Sequence, residues 1–329
     1  MRQLQSPKRN KILRGSAHAR LTNNSGCYVY LQKSKFNEME VTMSSQEWHT
    51  LYRAIVRAAR RFPRPERTPN YSDALIVAMH FWSVQHDRPQ CWACDRRNYH
   101  RPFLPRKLPS VSQFNRRIRS ARCQAILEQV EAGSRPGAAA GLQLLDSRPL
   151  AVGPCSKDRQ ARAGRVYGGF ARGYRLHAAM SAGGYFLAWR VTSLNVSEKP
   201  VARALLQQTR PRELVLADGN YDAGYLYETA AESGGQLLAT PRKGAGGGHR
   251  RANPYRRNAV YLWQSHASWI GAQRKAIDRF FGQHSSYGGG LAPLPAWVRT
   301  LERVTRWVQA KIVLYHIRLT HRHAARGAA

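Results

Sequence analysis

A chain of 329 residues with 43% hydrophobic content can form one large domain, or two of ordinary size, around a true core. Its 53 Lys and Arg against 19 Asp and Glu leave a net charge of +34, far more than solubility needs, and point to a polyanionic partner such as nucleic acid. Five scattered cysteines do not make a secreted disulfide framework, and no apolar run approaches the roughly 18 residues of a membrane span, so a cytoplasmic protein with no membrane partner is expected.

Residues 1–43 are basic and polar and read as a flexible arm able to follow a phosphate backbone. From Ser45 the period becomes helical, with Trp48, Leu51, Tyr52, Ile55 and Val56 on one side and arginines on the other, until Pro63 and Pro65 end it. A second helix is predicted from Ser72 to about His86, and the stretch 110–131 reads as one or two more, with Arg116, Arg117, Arg119 and Arg122 on their polar faces. Between them, CWAC at 91–94 has the spacing of half a zinc site, and no second pair follows. Residues 44–131 therefore form an expected helical DNA-binding domain, for which a bundle with a merely solvated basic face is the alternative. Trp48, Trp82 and Trp297 are assigned to packing rather than base stacking.

EAGSRPGAAAG at 131–141 breaks the composition and marks a boundary. Strands are predicted at 142–145, 173–180 and 185–192, the last two joined by the turn residues SAGG. A helix at 197–209, a strand at 214–217, a helix at 223–233 and a strand at 236–240 follow. That order describes an α/β fold, a mixed sheet flanked by helices. The Gly-rich basic stretch 241–258 lacks the GK[ST] ending of a phosphate loop and reads as a loop gripping DNA through Arg242, Lys243, Arg250, Arg251, Arg256 and Arg257. Helices at 267–281 and 296–319 close the domain 139–319, the second as a packing helix, with a fraying tail at 320–329.

Two of the apolar runs end on an acid. GLQLLDSRPL places Asp146, and ELVLADGNYD places Asp218, where a strand gives way to turn residues. Ligand sites in α/β folds gather at the carboxyl ends of strands; the plainer alternative is a side chain capping its own turn. Between Ser233 and Leu301 the only acid is Asp278, in QRKAIDRFF, four residues after Arg274 on one helical face. Three isolated carboxylates in so basic a chain suit Mg²⁺ or Mn²⁺, with two ions serving in-line displacement at phosphorus. A simple Arg274–Asp278 pair is the competing assignment.

The motifs DSRPLAV at 146–152, GGFARGYRLHAAMSAGGYFLAWRVTSLNVSE at 168–198, LADGNYDAGYLYE at 216–228 and RKAIDRFF at 274–281 resemble the DDE transposases of bacterial insertion sequences over residues 45–317. The resemblance implies an RNase H-like catalytic domain, with Asp146, Asp218 and Asp278 as metal ligands and Arg274 positioning the scissile phosphate. It also implies Arg148 and Tyr221 near the DNA, double-stranded DNA ends and target as partners, a homodimer in the DNA complex, and a bacterial protein on the nucleoid. The sequence departs from the family at the third acid, where aspartate replaces the usual glutamate, and at Ser285, where a lysine is usual. Those departures define the rival readings: a non-catalytic DNA-binding descendant, or a nuclease of the same fold.

Overall fold

In the computed structural model the described residues are 43–63, 70–135, 141–241, 253–286, 291 and 294–327. The expectations for residues 1–42 and for Arg242, Lys243, Arg250 and Arg251 lie outside them. Helix α1 (Ser45–Arg60) starts where the sequence changes period because Ser44 and Glu47 form a reciprocal capping box, 3.2 Å and 2.7 Å. It buries Trp48, Leu51, Ile55 and Ala58, one residue per turn of a single stripe. Helix α2 (Asp73–Gln85), capped by Ser72, is buried on almost every side. The stretch 110–131 resolves into two helices, α3 (Val111–Ile118) and α4 (Ala121–Gly133), because Ser120 caps the second.

The sheet is built from β1 (Gln143–Ala151), β2 (Arg162–Val166), β3 (Gly169–Ser181), β4 (Phe186–Ser193), β5 (Leu214–Ala217) and β6 (Gln236–Ala239). Strands β1, β3 and β4 run antiparallel, while β5 and β6 lie parallel to β1 on its other side. Three antiparallel strands followed by two parallel ones, with α5 (Glu198–Thr209) and α6 (Gly224–Ala231) between them, is the RNase H-like mixed sheet flanked by helices. Strand β2 pairs with the first five residues of β3, on the same edge that β4 takes further along. Its sequence, RAGRV, has no apolar alternation, so patterning does not reveal it.

Two further departures concern helices. Helix α7 (Pro254–Ser286) begins well before the expected 267, and its backbone leaves helical angles only at His266. The Gly- and Arg-rich run in front of it hides the early half. Asn253 caps it by accepting the Arg256 amide, 3.0 Å. Helix α8 (Leu301–Gly327) starts five residues later than expected and runs through the expected fraying tail. Asp158 and Gln160, from the β1–β2 connection, accept the amides of Thr300 and Leu301 and fix its start. Its far end is held by Thr50 against His321, 3.0 Å, and by the Tyr185 hydroxyl against Thr320, 3.2 Å.

Helix α8 is buried all round from Val304 to Ile317 and packs against α1, α2, α4 and β4. One apolar cluster consequently joins Trp48 and Phe81 of the helical segment to Leu145, Leu216 and Leu238 of the sheet. Trp48 and Trp82 are core residues as expected, whereas Trp297 is 40% exposed. Lys311 is fully buried in α8 and reaches Asp87 at 2.6 Å. No helix among the described residues is long and apolar enough to cross a membrane.

Candidate active site

The parallel strands set the geometry. The last paired level is Leu145, Ala217 and Ala239, in register across β1, β5 and β6. The next residues of the three strands are Asp146, Asp218 and Thr240, so two carboxylates stand side by side on neighbouring strands, about 5 Å apart at the backbone. Strand β1 does not end there: its antiparallel pairing continues, with Asp146 opposite Ala178, out to Ala151. The expected strand end at Asp146 is thus the end of the parallel pairing alone.

Each aspartate spends one oxygen on a nearby backbone amide. Asp146 Oδ1 accepts the Ser147 amide at 2.7 Å, and Asp218 Oδ1 accepts the Asn220 amide at 2.8 Å, starting the short 3₁₀ turn Gly219–Tyr221. The capping and site assignments are compatible, since the second oxygen of each is left over. Burial pushes the Asp146 carboxyl up to about 7, and the charges of Asp218 and Asp278 push the same way against the Ser147 amide and Arg274. Asp278, exposed on α7, is therefore within the electrostatic reach of Asp146. Arg148 belongs to the same group: burial lowers its affinity for the proton, and Asp146 and Asp278 partly restore it.

Arg274 donates to Thr240 Oγ1 at 2.8 Å rather than pairing with Asp278. Thr240 thereby links the arginine of α7 to the third strand end. Sequence reasoning missed it, although QLLAT ends on a polar residue just as the two aspartate runs do. Among the described residues no group of three His, Cys, Asp or Glu stands close enough together to hold a metal ion. That applies to the CWAC stretch as well, where Cys94 turns its thiol to the Gln90 carbonyl.

The expected DNA contacts divide. Arg116, Arg119 and Arg257 are exposed. Arg117 instead joins Arg122 on Asp73, both at 2.5 Å, pinning α3 and α4 to α2. Arg256 makes a two-point pair with the fully buried Asp222, 2.7 Å and 2.9 Å, and the Tyr227 hydroxyl donates to the same carboxylate. Tyr221 is 1% exposed, packed beneath the carboxylates instead of at the surface. Burial first, then the charges of Asp146 and Asp218, hold its hydroxyl far from ionising.

Sheet order defines an RNase H-like domain, with two carboxylates side by side where the parallel pairing ends. The chain belongs to the transposase DDE domain family, whose match spans residues 139–318 and takes in the whole sheet, α7 and most of α8. Among solved structures it is similar to a piggyBac transposase synaptic complex with hairpin DNA, at 10% identity and a TM-score of 0.43, covering 88% of this chain and 78% of that one. No curated protein matches it in sequence.

Proposed function

We propose that this transposase binds the ends of its element as double-stranded DNA, cleaves a strand there and joins the freed 3′-hydroxyl to target DNA. The observation that carries the proposal is the register of β1 and β5, which sets Asp146 beside Asp218 within reach of Asp278. Burial first, and then repulsion from the neighbouring carboxylates, push the Asp146 carboxyl up to about 7. A divalent cation would take the place of its proton, and oxygen-only donors suit Mg²⁺ or Mn²⁺. Asp146, Asp218 and Asp278 would hold the ions.

Bound metal would supply charge that activates the attacking oxygen and stabilises the leaving one. The chain's own part is positional. Arg274, held by Thr240, presents its remaining N–H groups to the scissile phosphate, as a fixed donor set needs no reorganisation during the reaction. Arg148 adds positive charge on the same side. Water attacks phosphorus in the first step and the 3′-oxygen leaves; in the second, the freed 3′-hydroxyl attacks a target phosphodiester and its 3′-oxygen leaves. Arg116, Arg119 and Arg257, together with the basic sequences 242–252 and 1–43, are assigned to the DNA backbone, and the helical segment 44–131 to DNA binding. A homodimer would bring two ends together.

A non-catalytic DNA-binding role is the second reading, and the open spacing of the three acids favours it. Incubating an end-containing duplex with Mg²⁺ or Mn²⁺ decides between them. Metal-dependent nicking that disappears in Asp146→Ala supports the enzyme. Tight binding without nicking supports the second reading.

A further inference from the structure

The most exposed aromatic side chains of the described residues are not near the carboxylates. Tyr167 is 105% exposed and Phe170 81%, and both sit on the tip of the β2–β3 hairpin. Val166 pairs with Gly169 as the last rung, leaving Tyr167 and Gly168 as a two-residue loop. Gly168 has φ 80°, a backbone angle that an L side chain would strain. Phe170 stands opposite Arg165 in the pairing and so shares its face of the hairpin. Both rings stand largely in water, apolar area that contributes little to folding.

The charge around the tip identifies the partner. From Arg159 to Ser197 the sequence contains six arginines and no acid. Arg159, Arg162, Arg165 and Arg172 are exposed along the hairpin. Arg172 is fixed by donating to the carbonyl of Asp158 at 2.9 Å. A second copy of a chain carrying a net charge of +34 would repel such a surface, whereas a duplex attracts it, and an opened base step offers its faces to the rings.

We propose that this hairpin is a DNA wedge: its arginines follow the phosphates while Tyr167 and Phe170 enter a base step and unstack it. Aromatic or apolar wedges entering between base pairs unstack and kink the duplex. The proposal rests on the DNA-binding function above and adds a place on the DNA. Phe170 lies eight residues along β3 from Ala178, the partner of Asp146. At about 3.4 Å per residue the tip is roughly 27 Å from the carboxylates. At about 3.4 Å per base along a strand, the distorted step falls about eight base pairs from the cleaved phosphate.

The test uses the full-length protein and a duplex that it protects in footprinting, with 2-aminopurine placed at one position at a time through the protected segment. Wild type should raise the fluorescence several-fold at one step, about eight base pairs from the cleavage position, because unstacking relieves quenching. Tyr167→Ala and Phe170→Ala should each remove that signal at saturating protein, with binding weakened roughly ten-fold and an unchanged thermal melt, since both rings are solvent-exposed. Tyr167→Phe should retain it. Wild-type binding with no fluorescence rise at any position would overturn the wedge and leave DNA binding standing. The wedge is overturned equally if the alanine variants keep the signal, or if their effect is loss of a dimer in solution. Failure of wild type to bind DNA at all would overturn both.

Discussion

At Asp146 and Asp218 a single carboxylate serves two ends, holding a nearby backbone amide with one oxygen and leaving the other for the site. Both roles arise from a strand pairing that stops one residue earlier, at Leu145 and Ala217. Thr240 extends the row by holding Arg274. Thr240→Val should slow metal-dependent cleavage up to about ten-fold, the worth of one positioning hydrogen bond, while leaving DNA affinity unchanged. Asp278→Glu, which reaches one methylene further from an exposed position on α7, should cleave at least as fast as wild type in a time course with Mg²⁺.

Away from the site, Asp87 and Lys311 form a buried pair in which burial outweighs attraction and lifts the Asp87 carboxyl to about 6. The folded chain then holds a proton there that the unfolded chain releases near 4, so this group lowers stability as pH rises from about 4 to about 6. Asp87→Ala should cost about 3–5 kcal/mol in denaturant unfolding at neutral pH by removing the carboxylate that the buried Lys311 ammonium pairs with. Adding Lys311→Met should recover most of it.

Helix boundaries follow chemistry that the sequence displays only in part. Ser44, Ser72, Ser110 and Ser120 mark their helices openly, each accepting an amide three residues on. The start of α8 is hidden because its caps, Asp158 and Gln160, come from a distant connection. Asp158 also accepts the buried Tyr174 hydroxyl at 2.7 Å. Asp158→Ala should therefore lower stability by about 1–3 kcal/mol, more than an ordinary cap, in thermal or urea unfolding. The end of α8 is equally illegible, since THRHAAR carries no apolar stripe and is held by Thr50 and Tyr185 across the fold. The two aspartate-ending runs are the opposite case, legible because Leu144–Leu145 and Leu214–Ala217 are short apolar runs that stop at an acid. The division of arginines into structural and exposed is beyond sequence reasoning, because Arg117 and Arg256 differ from Arg116 and Arg257 only in having Asp73 and Asp222 within range.

At the largest scale, α8 carries the helical segment and the sheet on one core, while buried acids of the described residues serve pairing and capping. Asp73, Asp222 and Asp158 are buried and bonded, which leaves the exposed arginines for the partner. The central claim is that the carboxylates on adjacent strands perform DNA strand transfer. It is tested most directly by incubating a duplex with a free 3′-hydroxyl element end, a target plasmid and Mg²⁺ or Mn²⁺ with wild type and with Asp218→Asn. Joined product from wild type, lost on chelation and lost in Asp218→Asn although the duplex is still bound, is the predicted result. Equal joining by the Asp218→Asn protein, or binding by wild type without any joining, would contradict it.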